Sequence, residues 1–119
     1  MSMKATIRPV DSVTVVDVSG RITLGEGCVQ LRELIREQLG KGNKNILLNL
    51  ADVTYIDSSG IGELVSAYTG VSKQGGALKL LHLTKKVHDL LQITKLYTVF
   101  DVHDDEAKAI ASFTKSASA

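Results

Sequence analysis

Ile46-Leu47-Leu48-Asn49-Leu50 restricts the fold more than any other stretch of this chain. It is apolar on both faces of a strand, and a strand covered on two sides belongs at the centre of a parallel sheet with helices packed against it. Ala77 to Leu83 is a second buried run of the same kind. Between them Ile61, Leu64, Val65, Tyr68 and Val71 recur at helical spacing, and Gly75-Gly76 ends that helix. Upstream, Cys28, Leu31, Leu34, Ile35 and Leu39 share one face of a helix over about 28–39, with Arg32, Glu33, Arg36 and Glu37 on the other. Gly40-Lys41-Gly42-Asn43 stops it.

Lys4 to Val10 and Val13 to Ser19 are β-rich runs around Asp11-Ser12, which predicts an antiparallel hairpin. Gly20 to Gly27 reads as a glycine-punctuated loop. Thr84 caps a short helix through Val87, Leu90 and Leu91, Tyr97 to Phe100 reads as a short edge strand, and Asp104-Asp105-Glu106 opens a last helix to about Thr114. The expected fold class is therefore α/β: a small mixed, mainly parallel sheet with an N-terminal antiparallel hairpin and about four helices. Residues 1–119 are expected to form a single domain, with 1–3 and 116–119 frayed.

Composition sets the outer bounds. A chain of 119 residues with 44% hydrophobic and 23% charged residues can build a core without disulfides or metals. A net charge of +1 argues against a general nucleic-acid or acidic-membrane binder. No apolar run has membrane-spanning length and the first residues lack the shape of a signal peptide, so no membrane insertion and a cytoplasmic location are expected. Cys28 is the only cysteine and falls on an apolar helix face, as a small core residue would. His82, His88 and His103 share no metal-ligand spacing, and neither a metal nor a cofactor is expected.

The functional signal is Val53-Thr54-Tyr55-Ile56-Asp57-Ser58-Ser59-Gly60-Ile61-Gly62, where the apolar strand passes into the helix. Ligands of open α/β sheets gather beyond the carboxyl ends of the strands, and a helix N-terminus stabilises negative charge. A serine there is a helix cap or an attachment point for phosphate. Gly60 and Gly62 lower helix propensity and leave the first turn bare for another protein to approach. Ser59 is not in a G-x-S-x-G elbow and no histidine is assigned to it, which argues against a serine hydrolase. Gly70 to Gly76 has phosphate-loop letters in the wrong order. Lys85 and Lys86, in the first turn of a helix, read either as solvated lysines or as contacts for an acidic partner.

The run from Leu47 to Val102, with its Asp57-Ser58-Ser59-Gly60 followed by an aliphatic residue, resembles the STAS domain family, in particular the bacterial anti-sigma-factor antagonists. Val18-Ser19-Gly20-Arg21-Ile22-Thr23-Leu24 and the later Leu78-Lys79-Leu80-Leu81 extend the resemblance over nearly the whole chain. Two segments depart from the family pattern: Arg21 to Leu24, where many members place an acidic residue, and Thr84-Lys85-Lys86, where many have Ser-Pro. The resemblance implies a non-catalytic switch with a phosphoacceptor at Ser59, Ser58 being the less favoured hydroxyl; spacing alone allows either. It implies partners too: an anti-sigma factor serine kinase, bound when the antagonist is unphosphorylated and released after phosphorylation, and a serine phosphatase that resets it. Asp57, Ser58, Ser59, Gly60 and Ile61 would meet the kinase, flanked by Thr23, Leu24 and Gly25, with Lys85 nearby. The alternatives are an unmodified STAS scaffold or subunit of a transporter or signalling complex, a nucleotide binder and, last, an enzyme passing phosphate through Ser59. Oligomeric state is left open.

Overall fold

The computed structural model describes residues 3–118, with side chains through Phe113. Its five strands are β1 (Met3–Val10), β2 (Val13–Ile22), β3 (Asn45–Ile56), β4 (Ala77–Leu81) and β5 (Val102–His103). The helices are α1 (Glu26–Gly40), α2 (Ser58–Lys73), α3 (Lys85–Ile93) and α4 (Glu106–Ser118). The strands lie in the order β1-β2-β3-β4-β5; β1 and β2 are antiparallel and every later pairing is parallel. The expected hairpin, parallel sheet and four helices are all present. Asp11 supplies the left-handed φ of 56° that lets a two-residue turn join Val10 to its partner Val13.

Over Ile46 to Leu50 both faces of β3 are covered, as the composition of that run requires. Ile46, Leu48 and Leu50 join Val16, Val18, Leu31, Ile35, Ile61, Leu64 and Leu91 in the main core under α1, α2 and α3. Leu47 points the other way and packs with Val13, Val15, Leu81, Ala109, Ile110 and Phe113 beneath α4. Full burial of one such leucine contributes roughly 1.5–3 kcal/mol, so this strand is a large part of what holds the two layers together.

Three expectations are corrected. First, β2 does not stop at Ser19. Ladder irregularities around Ser19 to Arg21 and the left-handed φ of 91° at Gly20 let the strand bend and continue to fully buried Ile22, so only Thr23 to Gly25 form the loop. β3 lengthens with it, pairing Tyr55 with Arg21 and Ile56 with Ile22. Second, Tyr97 to Phe100 is a turn. Left-handed Lys95 ends α3, Leu96 and Tyr97 both donate to the Leu91 carbonyl, and Phe100 is buried with its ring edge-on to Tyr68 (5.5 Å). The edge strand comes two residues later, at Val102–His103. Third, the last helix starts at Glu106, because the Asp105 side chain caps it by accepting from the Lys108 N–H (3.0 Å). Met3 is buried opposite Gly20, and α4 runs to Ser118. Residues 1, 2 and 119 lie outside the described residues.

Candidate functional site

The carboxyl ends of β2 and β3 bring two loops side by side. Asp57 joins them: its N–H donates to the Ile22 carbonyl (3.4 Å), and its Oδ2 accepts from the Leu24 N–H (3.1 Å). Its other oxygen accepts from the Gly60 N–H (2.8 Å), which makes Asp57 the N-cap of α2. A carboxylate does both jobs because it has two acceptor oxygens, whereas a serine cap has one. Burial pushes the Asp57 carboxyl up, but the N–H groups of Gly60, Leu24 and Ser59 outweigh it and hold the group below the usual carboxylate range.

With Asp57 as the cap, the serines are spared that duty. Neither hydroxyl makes a hydrogen bond among the described residues. Ser58, the first residue of α2, is exposed; Ser59 is half-buried. Gly60 is buried, and its hydrogen faces the β2 end. A Cβ there would lie 2.2 Å from the Ile22 carbonyl oxygen and 2.6 Å from Ile56 Cγ1, so only glycine allows α2 this close to the sheet. Gly62 differs. It is exposed and a Cβ would meet nothing within 4 Å, so packing does not account for it. Ile61 is in the core and reaches no surface.

Thr23 is half-buried and its carbonyl accepts from the Cys28 N–H; Leu24 stands out at 78% exposure; Gly25, at φ 95°, opens α1. Of the residues expected at this surface, the structure gathers Thr23, Leu24, Gly25, Asp57, Ser58, Ser59 and Gly60. Lys85 instead pairs with Asp89 along its own helix (3.0 Å). Its neighbour Lys86 and Arg21 both lie over the Tyr55 ring, at 5.3 and 5.1 Å from its centre. Sequence reading weighed Lys86 as a contact for an acidic partner but brought neither Arg21, which was placed in a loop, nor Tyr55 to it.

Glu63, a like-charged neighbour for any phosphate in the sequence, is buried and held by Arg32 of α1 (2.9 Å), which neutralises it. That pair crosses a cleft of about 330 Å³ between α1 and α2. Burial and the nearby Glu63 and Asp57 charges push the Cys28 thiol up, which works against nucleophilic use. The histidines go separate ways: His82 takes a left-handed turn, His88 packs on Tyr97 (4.8 Å) and His103 meets Asp101 (3.1 Å). Among the described residues there is no cluster able to hold a metal ion, and no helix is long and apolar enough to cross a membrane.

An open sheet with a capped, serine-bearing helix start at its carboxyl edge is the architecture of a small α/β domain. The STAS domain family profile matches residues 4–109, and the chain belongs to that family. Its relatives include an anti-sigma-B factor antagonist of Bacillus subtilis, 29% identical over 86% of this chain and 92% of the relative. The BtrV protein of Bordetella bronchiseptica, a putative anti-sigma factor antagonist, is 24% identical over 93% of this chain and 95% of its own. Among solved structures, a putative anti-sigma factor antagonist from Thermotoga maritima superposes with a TM-score of 0.85 at 25% identity, covering 92% of this chain and 94% of its own. Phosphorylated SpoIIAA of Bacillus shares the fold, with a TM-score of 0.71 at 20% identity over 92% of this chain and 98% of its own.

Proposed function

We propose that this protein is an anti-sigma factor antagonist whose Asp57–Gly60 loop binds an anti-sigma serine kinase and is switched by phosphorylation of a loop serine. One observation carries the reading: Asp57 takes over the capping of α2 and leaves the serine hydroxyls unengaged at the carboxyl edge of the sheet. The family resemblance favoured Ser59. Exposure supports Ser58 instead, because a kinase must bring its nucleotide to the hydroxyl, and Ser58 is exposed where Ser59 is half-buried. Ser58 is therefore the proposed acceptor. The kinase transfers the γ-phosphoryl group of ATP to the Ser58 oxygen, the hydroxyl proton leaves with a base of the kinase, and ADP departs. A phosphatase restores the hydroxyl with water and releases inorganic phosphate.

The energetics suit a switch. A serine phosphate adds about −1.5 to −2 charges and three acceptors. At the end of α2 the helix dipole tolerates it, and the Arg32–Glu63 pairing removes one source of repulsion within the domain. Inside a protein interface, an uncompensated charge costs about 2–5 kcal/mol. A shift from almost fully bound to almost fully free needs about 5.5 kcal/mol, so one phosphate is of the right order to drive it. The domain stays folded while its surface changes. SpoIIAA, which shares the fold, is known in both unphosphorylated and phosphorylated forms.

The test is to mix the protein with each serine-kinase anti-sigma factor of its own organism and labelled ATP. Label should enter the parent and Ser59→Ala but not Ser58→Ala, and Ser58→Asp should bind the kinase at least about tenfold more weakly, or 1.4 kcal/mol. Label in Ser58→Ala but not Ser59→Ala would move the acceptor to Ser59. Equal kinase binding by parent, Ser58→Asp and Ser59→Asp would refute the switch.

A further inference from the structure

We infer that the cleft between α1 and α2 is a binding site for a small amphiphilic carboxylate, a monoanion carrying a short hydrocarbon body. It starts one helical turn beyond the serine loop and lies outside the proposed switch surface. Arg32, Ile35, Arg36 and Leu39 form the α1 wall. The same i, i+3, i+4, i+7 spacing gives the α2 wall, from Glu63 through Ser66 and Ala67 to Gly70. The space between them is about 330 Å³, at the small end of the range of ligand sites, roughly 300–1,000 Å³.

Helix packing alone does not require this cleft. Gly70 lies within α2 and is half-buried, yet a Cβ there would meet nothing within 4 Å. Its φ is not positive, and alanine has the better helix propensity. Close approach of backbones, the reason for glycine at position 60, is absent here; what the missing side chain leaves is room. The floor of that room is apolar and held in place, because Ile35 and Ala67 belong to the main core and Leu39 packs against it.

The charges decide what fits. Glu63 is 8% exposed, and Arg32 donates to both of its oxygens, through Nη2 (2.9 Å) and Nε (3.5 Å). Arg36 stands one turn from Arg32 on the same wall. With Glu63 neutralised by Arg32, the lining keeps one net positive charge; Glu33 and Glu37, the neighbouring acids of α1, do not line it. What distinguishes Arg36 is its setting, a cation on the wall of an apolar-floored cleft. A carboxylate bound there is partly withdrawn from water, which strengthens its pairing with the guanidinium fork. The Ser66 hydroxyl on the facing wall is a further donor, and the hydrocarbon body covers Ile35, Ala67 and Gly70. A multiply charged phosphate suits the cleft less, because it exceeds the single net charge and leaves the apolar floor unused.

The experiment is an amide NMR titration of the full-length protein with sodium octanoate at constant ionic strength. Saturable shifts at millimolar octanoate or below are expected at residues 32–39 and 63–70. Arg36→Gln should weaken binding at least about tenfold, while Lys108→Gln, which removes the same charge from the α4 side of the sheet, leaves it unchanged. Gly70→Leu fills the cleft and should abolish binding. Should that variant fail to fold, Ser66→Leu narrows the same cleft from an exposed position and should also weaken binding. Octanol, with the same body and no charge, should bind at least about tenfold more weakly than octanoate, and inorganic phosphate should give no saturable shift. Absence of saturation, equal binding by Arg36→Gln, or octanol or phosphate matching octanoate would overturn the inference. The titration needs neither kinase nor phosphorylation, so the cleft and the serine switch fail separately.

Discussion

Replacing Asp57 with alanine removes two supports at once, and their sum can be estimated. Loss of an N-cap costs about 1 kcal/mol. The second oxygen accepts from the Leu24 N–H, and a hydrogen bond to a charged group contributes about 1.5–3 kcal/mol, reduced here because the carboxylate is only half-buried. Asp57→Ala should therefore destabilise the protein by roughly 2 kcal/mol, a fall of about 1 M in the urea midpoint for an m-value near 2 kcal/mol/M. Asp57→Asn keeps an equally good cap and loses mainly the charge at the helix start, about 0.3–1 kcal/mol. The pH dependence carries a definite sign. The folded-state pKa lies below the usual carboxylate value, so the ionised group stabilises the fold above about pH 4. That contribution fades as pH falls through the folded-state pKa. The gap between parent and Asp57→Asn should be steady from about pH 6 to 8 and close in acid. Urea curves at several pH values measure it. Both variants within about 0.5 kcal/mol of the parent, or a gap that widens in acid, would refute the account of Asp57 as cap and tether.

Three further outcomes follow from the packing. Gly62→Ala should stabilise by roughly 0.8–1 kcal/mol, since the added methyl meets nothing, whereas Gly60→Ala should destabilise by about 1–3 kcal/mol or more by driving α2 off the Ile22 carbonyl; thermal melts separate the two. Phe100→Ala should cost about 3–5 kcal/mol in urea unfolding, because the ring is buried and edge-on to Tyr68. Arg8 holds Asp17 and Glu106, tying β1, β2 and α4 together, and its hydrogen bonds keep both carboxyls below their usual range. Their contribution is present above about pH 4 and lost in acid, so Arg8→Met should flatten the acid limb of the stability–pH curve.

Much of the architecture was legible because it follows from burial. The two-faced apolar run at Ile46 to Leu50 could only be a central strand, and the spacing of Ile61, Leu64 and Val71 matched the face α2 buries. What escaped depended on contacts distant in sequence. Gly20 looked like the end of a strand because glycine commonly is; pairing with β3 carries the chain through it to Ile22. Tyr97 to Phe100 has strand-forming residues, but the left-handed turn at Lys95 and the pocket beside Tyr68 decide its shape. At the site, spacing left open whether a serine caps α2. The answer needed the Leu24 amide, which gives the second Asp57 oxygen a partner and so favours the carboxylate. The Arg21–Tyr55–Lys86 cluster was invisible for the same reason, as three elements contribute one residue each.

Site-resolved phosphate mapping of the protein purified from its own cells, grown with and without stress, tests the central claim most directly. A single phosphate on Ser58, whose occupancy changes with growth condition, is the result the account predicts. An Asp57–Gly60 loop that stays unmodified under every condition would contradict it and leave an unswitched STAS scaffold in its place.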